Sequence, residues 1–241
     1  MISSASRCGP RAPSTTFSPL STVRYTVGVV SFDMVRVPPG RFLDGEGPTR
    51  RELLVSRPFE LGVAQVTQAL WRAVMGLSPS SFQGEDRPVE RVSWDDVQAF
   101  LVRLSVLSLP GFRLPAEAEW AWAARCGVPT QWAGADRVKV VAVTDRLSGV
   151  LVQTAAVGGL SSSVAGAFDL SGNVWEWVGD WAGSVPSTGV DAQGPALGSR
   201  RIDRGGSWLS EPKDARVAVR DDSRPDYRDY NFGFRISRTA S

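Results

Sequence analysis

The chain has 241 residues, 42% of them hydrophobic and 22% charged, with a formal net charge of +2. This is the composition of a globular protein long enough to bury a core, and a charge so near zero gives no reason to expect nucleic acid or a membrane surface as partner. The sequence contains no histidine, which excludes serine–histidine and cysteine–histidine nucleophiles and any metal site built on imidazole.

Residues 1–24 are predicted to be a disordered tail. The segment is rich in Ser, Thr and Pro, carries three arginines and has no acid, so it cannot bury enough apolar surface to become ordered. A transit peptide is the alternative, because such peptides share this composition, but the segment shows no amphipathic periodicity. The sequence shows no apolar run of transmembrane length and no signal-peptide core, so we expect a cytoplasmic protein by default.

The chain has two cysteines, Cys8 and Cys126. A disulfide between them is one interpretation. Because Cys8 lies in the predicted tail, a free and structural Cys126 is the favoured one.

From Tyr25 onward the sequence predicts short strands, three helices and much irregular chain. The stretches "YTVGVVSF" and "DMVRVPPGRF" are typical of strands, the second with a Pro-Pro-Gly turn. Three later stretches carry apolar residues at helical spacing. Their end signals are Thr67 and Gly76 for the first, Ser93 with Asp96 for the second, and Pro115 and Gly127 for the third.

The second half of the chain contains few helix signals. Residues 128–168 are rich in Gly, Ser and Val, which predicts irregular loops and short strands. Further on, "IDRGGSW", "DARVAVR" and "FGFRIS" predict strands separated by the polar loop "DDSRPDYRDYN". No repeat or linker divides the chain, so one α+β domain is expected over residues 28–238.

The order of these segments resembles the formylglycine-generating enzyme family, also called the sulfatase-modifying factor domain. The matching stretches, from about residue 34 to 237, are "MVRVPPGRF", "VTQALWRAVMG", "RPVERVSWDDVQAF", "GFRLPAEAEWAWAAR", "FDLSGNVWEWVGDW", "RGGSW" and "NFGFRIS". The resemblance implies a variant of the C-type lectin fold in a single domain.

The resemblance also implies where catalysis would reside. Family enzymes oxidise a sulfatase cysteine to formylglycine with copper held by two cysteines, and the positions that match those cysteines are Ser210 and Ala215 here. Neither side chain offers copper(I) the soft thiolate that it requires. A related branch uses iron held by histidines, which this chain lacks. We therefore expect neither copper nor iron, and a bacterial pseudoenzyme rather than an active oxidase.

A structural calcium site is the cofactor that the resemblance implies. The family binds calcium within the stretch that matches "DLSGNVWE", so the ligands would be the Asp169 side chain, the Gly172 and Val174 carbonyls and the Glu176 carboxylate. Hard oxygen ligands of this kind suit calcium. The alternative is a metal-free turn in which Asp169 and Glu176 accept hydrogen bonds from backbone N–H groups.

The tryptophans are predicted to lie in the core, where large rings compensate for scarce regular structure. This applies to Trp94, Trp120, Trp175, Trp177, Trp181 and Trp208. A platform for a carbohydrate or an aromatic ligand is the alternative.

The C-terminal loop is predicted to be a recognition surface. Its Tyr and Arg residues in irregular chain are typical of binding sites, and in the resembling family this region lines the substrate-peptide groove. In variable proteins of diversity-generating retroelements, which share the "RGGSW…GFR" frame, it is the diversified ligand surface. The predicted ligand-binding residues are Trp208, Ser210, Arg220, Tyr227, Arg228, Tyr230 and Asn231.

Three functional hypotheses follow. The first is a non-catalytic module that binds a peptide or protein ligand through the C-terminal loop. The second is an oxidoreductase of the resembling family with an altered active site. The third is a purely structural accessory to another protein.

Overall fold

The computed structural model describes residues 20–107, 110–136, 153–159, 162–184 and 188–240. Residues 1–19 of the predicted tail lie outside this range, but the first strand already begins at Thr22, two residues before the predicted end of the tail. Alternation in this strand buries Tyr25 and Val27, and the exposed Arg24 bonds Asp33 of the next strand at 2.8 Å. The strand therefore starts earlier than the Ser- and Pro-rich composition indicates.

In the described residues five strands precede the helices, and six strands follow them. The helices are α1 (Gln68–Met75), α2 (Trp94–Leu107) and α3 (Glu117–Arg125). The strands are β1 (Thr22–Val27), β2 (Val30–Val37), β3 (Gly40–Asp44), β4 (Arg51–Val55), β5 (Phe59–Gly62), β6 (Phe112–Arg113), β7 (Trp175–Trp181), β8 (Thr188–Val190), β9 (Arg201–Arg204), β10 (Arg220–Ser223), β11 (Phe232–Phe234) and β12 (Ser237–Thr239). This is the mixed α+β domain with three helices that the sequence predicts.

The strands form three sheets. The five-stranded sheet has the order β1-β2-β5-β12-β6, so its interior contains a strand from near the end of the chain. The four-stranded sheet has the order β10-β9-β7-β11 and the three-stranded sheet β3-β4-β8. Within the second sheet β7 and β11 are parallel, with Trp175 opposite Phe232, which joins the tryptophan-rich stretch to the C-terminal region.

The predicted helix ends are confirmed. At the start of α1, the Thr67 hydroxyl accepts from the Leu70 N–H at 3.3 Å, and the helix closes at Gly76 with φ of 93°. Before α2, the Asp96 N–H donates to Ser93 Oγ at 3.1 Å, and the Ser93 N–H donates to Asp96 Oδ2 at 2.9 Å. That reciprocal pair is a capping box with Asp as the acidic partner.

The helix α3 ends at Cys126, which adopts a left-handed conformation with φ of 44° just before Gly127. Cys126 is a free, buried thiol, as the favoured interpretation expects. Burial raises its pKa to about 11, so the thiol stays protonated at neutral pH. Cys8 lies outside the described residues.

The prediction of a strand over "DARVAVR" is wrong. Residues Pro212–Ala215 form a short 3-10 helix, and the strand β10 begins only at Arg220, within the stretch predicted to be a loop. Two acids follow Arg220 in this strand, whose side chains are exposed or half-buried. A charged strand is tolerated there because β10 is the edge of its sheet and needs only backbone pairing with β9.

The core contains two groups of buried apolar side chains, which include the fully buried Trp120 and Trp177. Residues 137–152, 160 and 161 of the stretch predicted to be irregular lie outside the described part, and residues 153–159 and 162–168 contain no helix or strand. None of the helices described here has both the length and the apolar character needed to cross a bilayer.

Candidate functional site

Residues 169–174 form a turn just before β7. The backbone has positive φ at Asp169 (58°), Gly172 (96°) and Asn173 (65°), a region that glycine enters freely and that Asp and Asn tolerate better than most residues. The positive φ angles explain why Asp, Gly and Asn occupy these three positions. They also turn several main-chain carbonyl groups toward one centre.

That centre is marked by the side-chain nitrogen of Gln65. Gln65 Nε2 lies 3.2 Å from the Asp169 carbonyl oxygen, 3.3 Å from that of Gly172 and 3.2 Å from that of Val174. It also lies 3.0 Å from Glu176 Oε1. A primary amide has two hydrogens and cannot satisfy four acceptors, and Gln65 Oε1 is itself buried with no partner. Four convergent oxygens with an unsatisfied amide oxygen beside them are an arrangement whose chemistry fits a hard cation.

The two predicted carboxylate ligands have different surroundings. Glu176 accepts from both Arg235 Nε (2.6 Å) and Nη2 (2.7 Å), and from Trp120 Nε1 (2.7 Å). The carboxylate of Asp169 accepts from the Gly158 N–H at 2.6 Å, while its Oδ1 is buried without a partner. Burial raises the pKa of Asp169.

Each interpretation of this turn matches part of the geometry. Gln65 Nε2 contacts the carbonyl oxygen of Asp169, whereas the Asp169 carboxylate accepts a backbone N–H as in the metal-free alternative. Glu176 accepts from side chains instead. The positive charge of Arg235 at Glu176 weakens the attraction of the centre for a cation. No group of three or more acidic or cysteine side chains that could hold a metal is found in the described part of the chain, so any cation here would depend mainly on carbonyl oxygens.

Four of the six tryptophans are buried, as predicted: Trp120, Trp175, Trp177 and Trp208. The other two, Trp94 and Trp181, are only partly buried, and the guanidinium of Arg201 lies between their rings, 3.8 Å and 3.3 Å from the two centroids. Trp94 packs against the edge of one core cluster, so the core prediction holds there in part. For Trp181 the prediction is wrong, because its ring contacts a cation rather than apolar side chains.

A cluster of three aromatic rings lies at the C-terminal region. Trp208 packs edge-on against Phe82 with 5.5 Å between centroids, and Tyr230 lies 5.8 Å from Trp208 and 6.2 Å from Phe82. Tyr230 is 40% exposed whereas Trp208 is buried. We call Phe82, Trp208 and Tyr230 the aromatic cluster; it gives a rigid apolar surface with one ring open to solvent.

The two positions that match the family's cysteines, Ser210 and Ala215, lie against the Gly206–Ser207 turn that precedes Trp208. Ser210 Oγ accepts from the Ser207 N–H at 2.9 Å, and Asn231 Nδ2 donates to Ser207 Oγ at 3.4 Å. Ala215 is fully buried, and its Cα lies so close to Gly206 that an added Cβ there would approach it to 2.8 Å. Neither position carries a thiolate, and the buried Cys126 sits at the end of α3.

The remaining predicted ligand-binding residues occupy three separate places. Tyr227 packs edge-on against Phe232 and bonds Asp229, and Arg228 forms a two-bond ion pair with Asp96 at 2.5 and 2.8 Å. Arg220 turns inward and bonds Glu117 at 2.9 Å. The structure thus brings together Trp208, Ser210, Tyr230 and Asn231. Among the described residues, no hydrogen bond or ring contact joins Arg220, Tyr227 or Arg228 to that group, although Tyr227 lies near enough to Tyr230 for an electrostatic interaction.

The sequence analysis missed Glu90, which lies under the aromatic cluster. Its Oε1 accepts from the Phe82 N–H at 2.8 Å, and its Oε2 is buried without a partner. Burial raises the pKa of Glu90 to about 7. Asn231 Oδ1 is also buried and unpartnered. Nothing in the spacing of the stretch "RPVERVSW" distinguishes Glu90 from a surface acid.

Known proteins of similar sequence and structure share this architecture. Treponema denticola variable protein 1 superposes with a TM-score of 0.84 and 30% identity, over 91% of this chain and 99% of that one. The architecture is therefore that of formylglycine-generating enzymes and related C-type-lectin-like proteins. A model of the sulfatase-modifying factor enzyme 1-like domain matches residues 30–240, and the chain belongs to this family.

Two curated relatives show the range of the family. The formylglycine-generating enzyme of Thermomonospora curvata is 33% identical over 194 residues, which are 71% of this chain and 62% of that protein. The inactive C-alpha-formylglycine-generating enzyme 2 of Mus musculus is 30% identical over 195 residues, 73% of this chain and 56% of that protein. The match thus spans less than two thirds of the length of either relative.

Proposed function

We propose that this protein is a non-catalytic module on the formylglycine-generating-enzyme fold that binds a peptide or protein ligand through its C-terminal region. The observation that supports this most directly is the aromatic cluster, whose exposed Tyr230 lies over the buried Trp208. A large ring held in place by rigid neighbours is typical of the residues that contribute most to binding.

Polar groups beside the cluster suit a peptide. The buried Glu90 Oε2 and Asn231 Oδ1 have no partner among the described residues, and a buried acceptor without a donor costs free energy. Peptide backbones and amide side chains supply N–H donors. The ligand would therefore place an apolar side chain on Tyr230 and N–H groups toward these two oxygens.

The proposal includes the absence of catalysis. Ser210 and Ala215 stand where the resemblance places copper-binding cysteines, and neither provides a soft ligand. The family includes a relative named inactive, so loss of activity within this fold has a counterpart. The likeness to a variable protein supports the narrower proposal that the C-terminal loop is a diversified ligand surface of a diversity-generating retroelement.

A structural calcium ion is part of the proposal. The carbonyl oxygens of Asp169, Gly172 and Val174, with Glu176 Oε1, would hold it, and it would supply charge compensation for oxygens that face one another. The side chain of Gln65 would have to turn, which brings its unpartnered Oε1 toward the centre as a further oxygen ligand.

A displayed library of random peptides, panned against the purified protein, tests the binding surface. Selected peptides should bind the Tyr230→Ala variant at least tenfold more weakly, the loss expected for a central aromatic contact. Leu197→Ala is the control, because Leu197 is 84% exposed and outside the aromatic cluster. Selected peptides that bind Tyr230→Ala as well as the wild type would contradict the proposal, and failure to select any peptide would favour a purely structural accessory.

The oxidoreductase alternative is favoured by one observation, the 33% identity to an active enzyme. It is tested by incubating the protein with copper and a cysteine-containing peptide of the sulfatase type. Mass spectrometry should show no conversion of the cysteine to an aldehyde. Conversion that disappears in Ser210→Ala would replace the binding proposal with an altered enzyme.

A further inference from the structure

Two buried carboxylates hold four arginines in the interior beside α3. Asp44 Oδ2 pairs with Arg51 at 2.7 Å, and Glu117 Oε1 pairs with Arg51 at 3.1 Å, with Arg220 at 2.9 Å and with Arg204. Arg204 Nη2 and Arg125 Nε also lie 3.6 and 3.9 Å from Asp44 Oδ1. We call Arg51, Arg125, Arg204 and Arg220 with Asp44 and Glu117 the arginine cluster.

The charges of the arginine cluster do not balance. Four guanidinium groups face two carboxylates, which leaves an excess of two positive charges, and arginine does not lose its proton in proteins. Two further acids lie near the cluster. Asp180 accepts from the Glu117 N–H at 2.6 Å, and burial raises its pKa, which disfavours its charge. Glu46 interacts with Arg125 but is exposed and pairs with Arg216, and the exposed Arg50 adds a cation on the same side.

Several donors in the arginine cluster also have no acceptor. Arg125 Nε, Arg204 Nε and Arg220 Nη2 are buried without a hydrogen-bond partner. Arg204 is fully buried, and the side chain of Arg220 is 29% exposed. Each of these arginines has a carboxylate nearby, but two carboxylates are shared among four guanidinium groups. Excess positive charge and unbonded donors in the interior cost free energy, so an anion in contact with the cluster would stabilise the fold.

A cavity lies against the cluster where such an anion would fit. It has a volume of about 540 Å³ and is lined by Arg51, Arg204 and Arg220 of the arginine cluster and by the exposed Arg50. Asp44 also lines it, together with the small residues Gly45, Thr49, Gly183 and Ser184. This volume lies within the range of small-molecule sites, roughly 300–1,000 Å³.

We propose that this cavity binds a phosphate or sulfate dianion, either free or as a monoester on a small molecule. A dianion would offset excess positive charge in the arginine cluster, and the planar forks of the guanidinium groups match the oxygens of a tetrahedral anion. Arg50, at the rim, completes the ring of cations and would contact any bound group from the solvent side. The site is independent of the aromatic cluster and assigns Arg220 to anion binding inside the fold rather than to the C-terminal recognition surface.

Calorimetric titration of the full chain with inorganic phosphate, at constant ionic strength set by chloride, tests this site. Saturable binding and a phosphate-dependent rise in Tm are expected. Arg50→Gln, an exposed position whose change leaves the buried pairs intact, should weaken binding about tenfold, the effect of one lost charge-assisted hydrogen bond. Arg24→Gln is the matched control, because Arg24 is exposed on β1 and does not line the cavity; its affinity should equal that of the wild type.

A second titration, with O-phosphoserine, distinguishes the two forms of the anion. Tighter binding than that of inorganic phosphate supports a monoester, and binding of inorganic phosphate or sulfate alone supports the free ion. The proposal is overturned if inorganic phosphate, inorganic sulfate and O-phosphoserine, each titrated in the same way, all fail to bind up to about 10 mM, a concentration that would fill about nine tenths of a 1 mM site. It is also overturned if Arg50→Gln and Arg24→Gln weaken binding equally.

Discussion

Replacement of Glu176 by glutamine should cost about 3–5 kcal/mol of stability. Glutamine keeps the size of the side chain but removes the charge that pairs with Arg235 through contacts of 2.6 and 2.7 Å. Arg235 is fully buried, and its other acceptors are the carbonyls of Gly62 and Phe168. Loss of one partner leaves a buried charge uncompensated, which is the most destabilising change that an ion pair can undergo.

Urea unfolding in the presence of a chelator measures this cost without any contribution from calcium. For a domain of this size the same loss corresponds to a fall in Tm of roughly 6–20 °C. Asp33→Asn is the control, because Asp33 pairs with an arginine whose side chain is 70% exposed; the expected loss is below about 1 kcal/mol. If Glu176→Gln loses no more free energy of unfolding than Asp33→Asn, the assignment of a desolvated, stabilising pair is refuted.

Three further predictions concern calcium, pH and thiol chemistry. Calcium at about a hundred times its dissociation constant should add about 2.7 kcal/mol to the free energy of unfolding of chelator-treated protein and raise its Tm by roughly 5–10 °C. Glu176→Gln should not show this increase. A wild-type Tm that does not change when calcium is added would contradict the calcium site. Burial raises the pKa of Glu90 from 4.5 to about 7, so the folded state keeps a proton that the unfolded chain releases between those values. Stability should therefore fall by about 3 kcal/mol as the pH rises from 4.5 to 7, and urea unfolding of Glu90→Gln should lack this component, whereas an identical pH profile would contradict it. In a Cys8→Ser background the Cys126 thiol, buried and with a pKa of about 11, should react with a thiol reagent only after unfolding, and rapid labelling of native protein would show that the residue is accessible.

The helices and their ends were predictable because their signals are local. Thr67, Ser93 with Asp96, and Gly127 act on neighbouring backbone groups, and the structure shows the predicted contacts at the first two sites. The strand β10 was not predictable, because an edge strand needs no apolar alternation and its charged residues read as a loop.

The candidate sites were predictable only in part, because their parts come from distant stretches of chain. The turn at Gly172 is visible in the sequence, but Gln65, more than a hundred residues earlier, supplies the atom at its centre. Phe82 packs against Tyr230, which also lies more than a hundred residues away in the sequence, and Glu90 accepts a hydrogen bond from Phe82. The excess charge of the arginine cluster emerges only once its members meet, since the chain as a whole has a net charge of just +2.

The place of β12 in the five-stranded sheet sets the order in which the domain is completed during synthesis. Because β12 lies between β5 and β6, these two strands have unpaired edges until residues 237–239 have left the ribosome, and they cannot close the sheet with each other in the meantime. Unpaired strand edges are the places where sheets pair with other chains, so the addition of β12 removes such edges from β5 and β6. A premature stop shortly before residue 237 would therefore remove an interior strand and separate β6 from the rest of the sheet, rather than remove an edge strand.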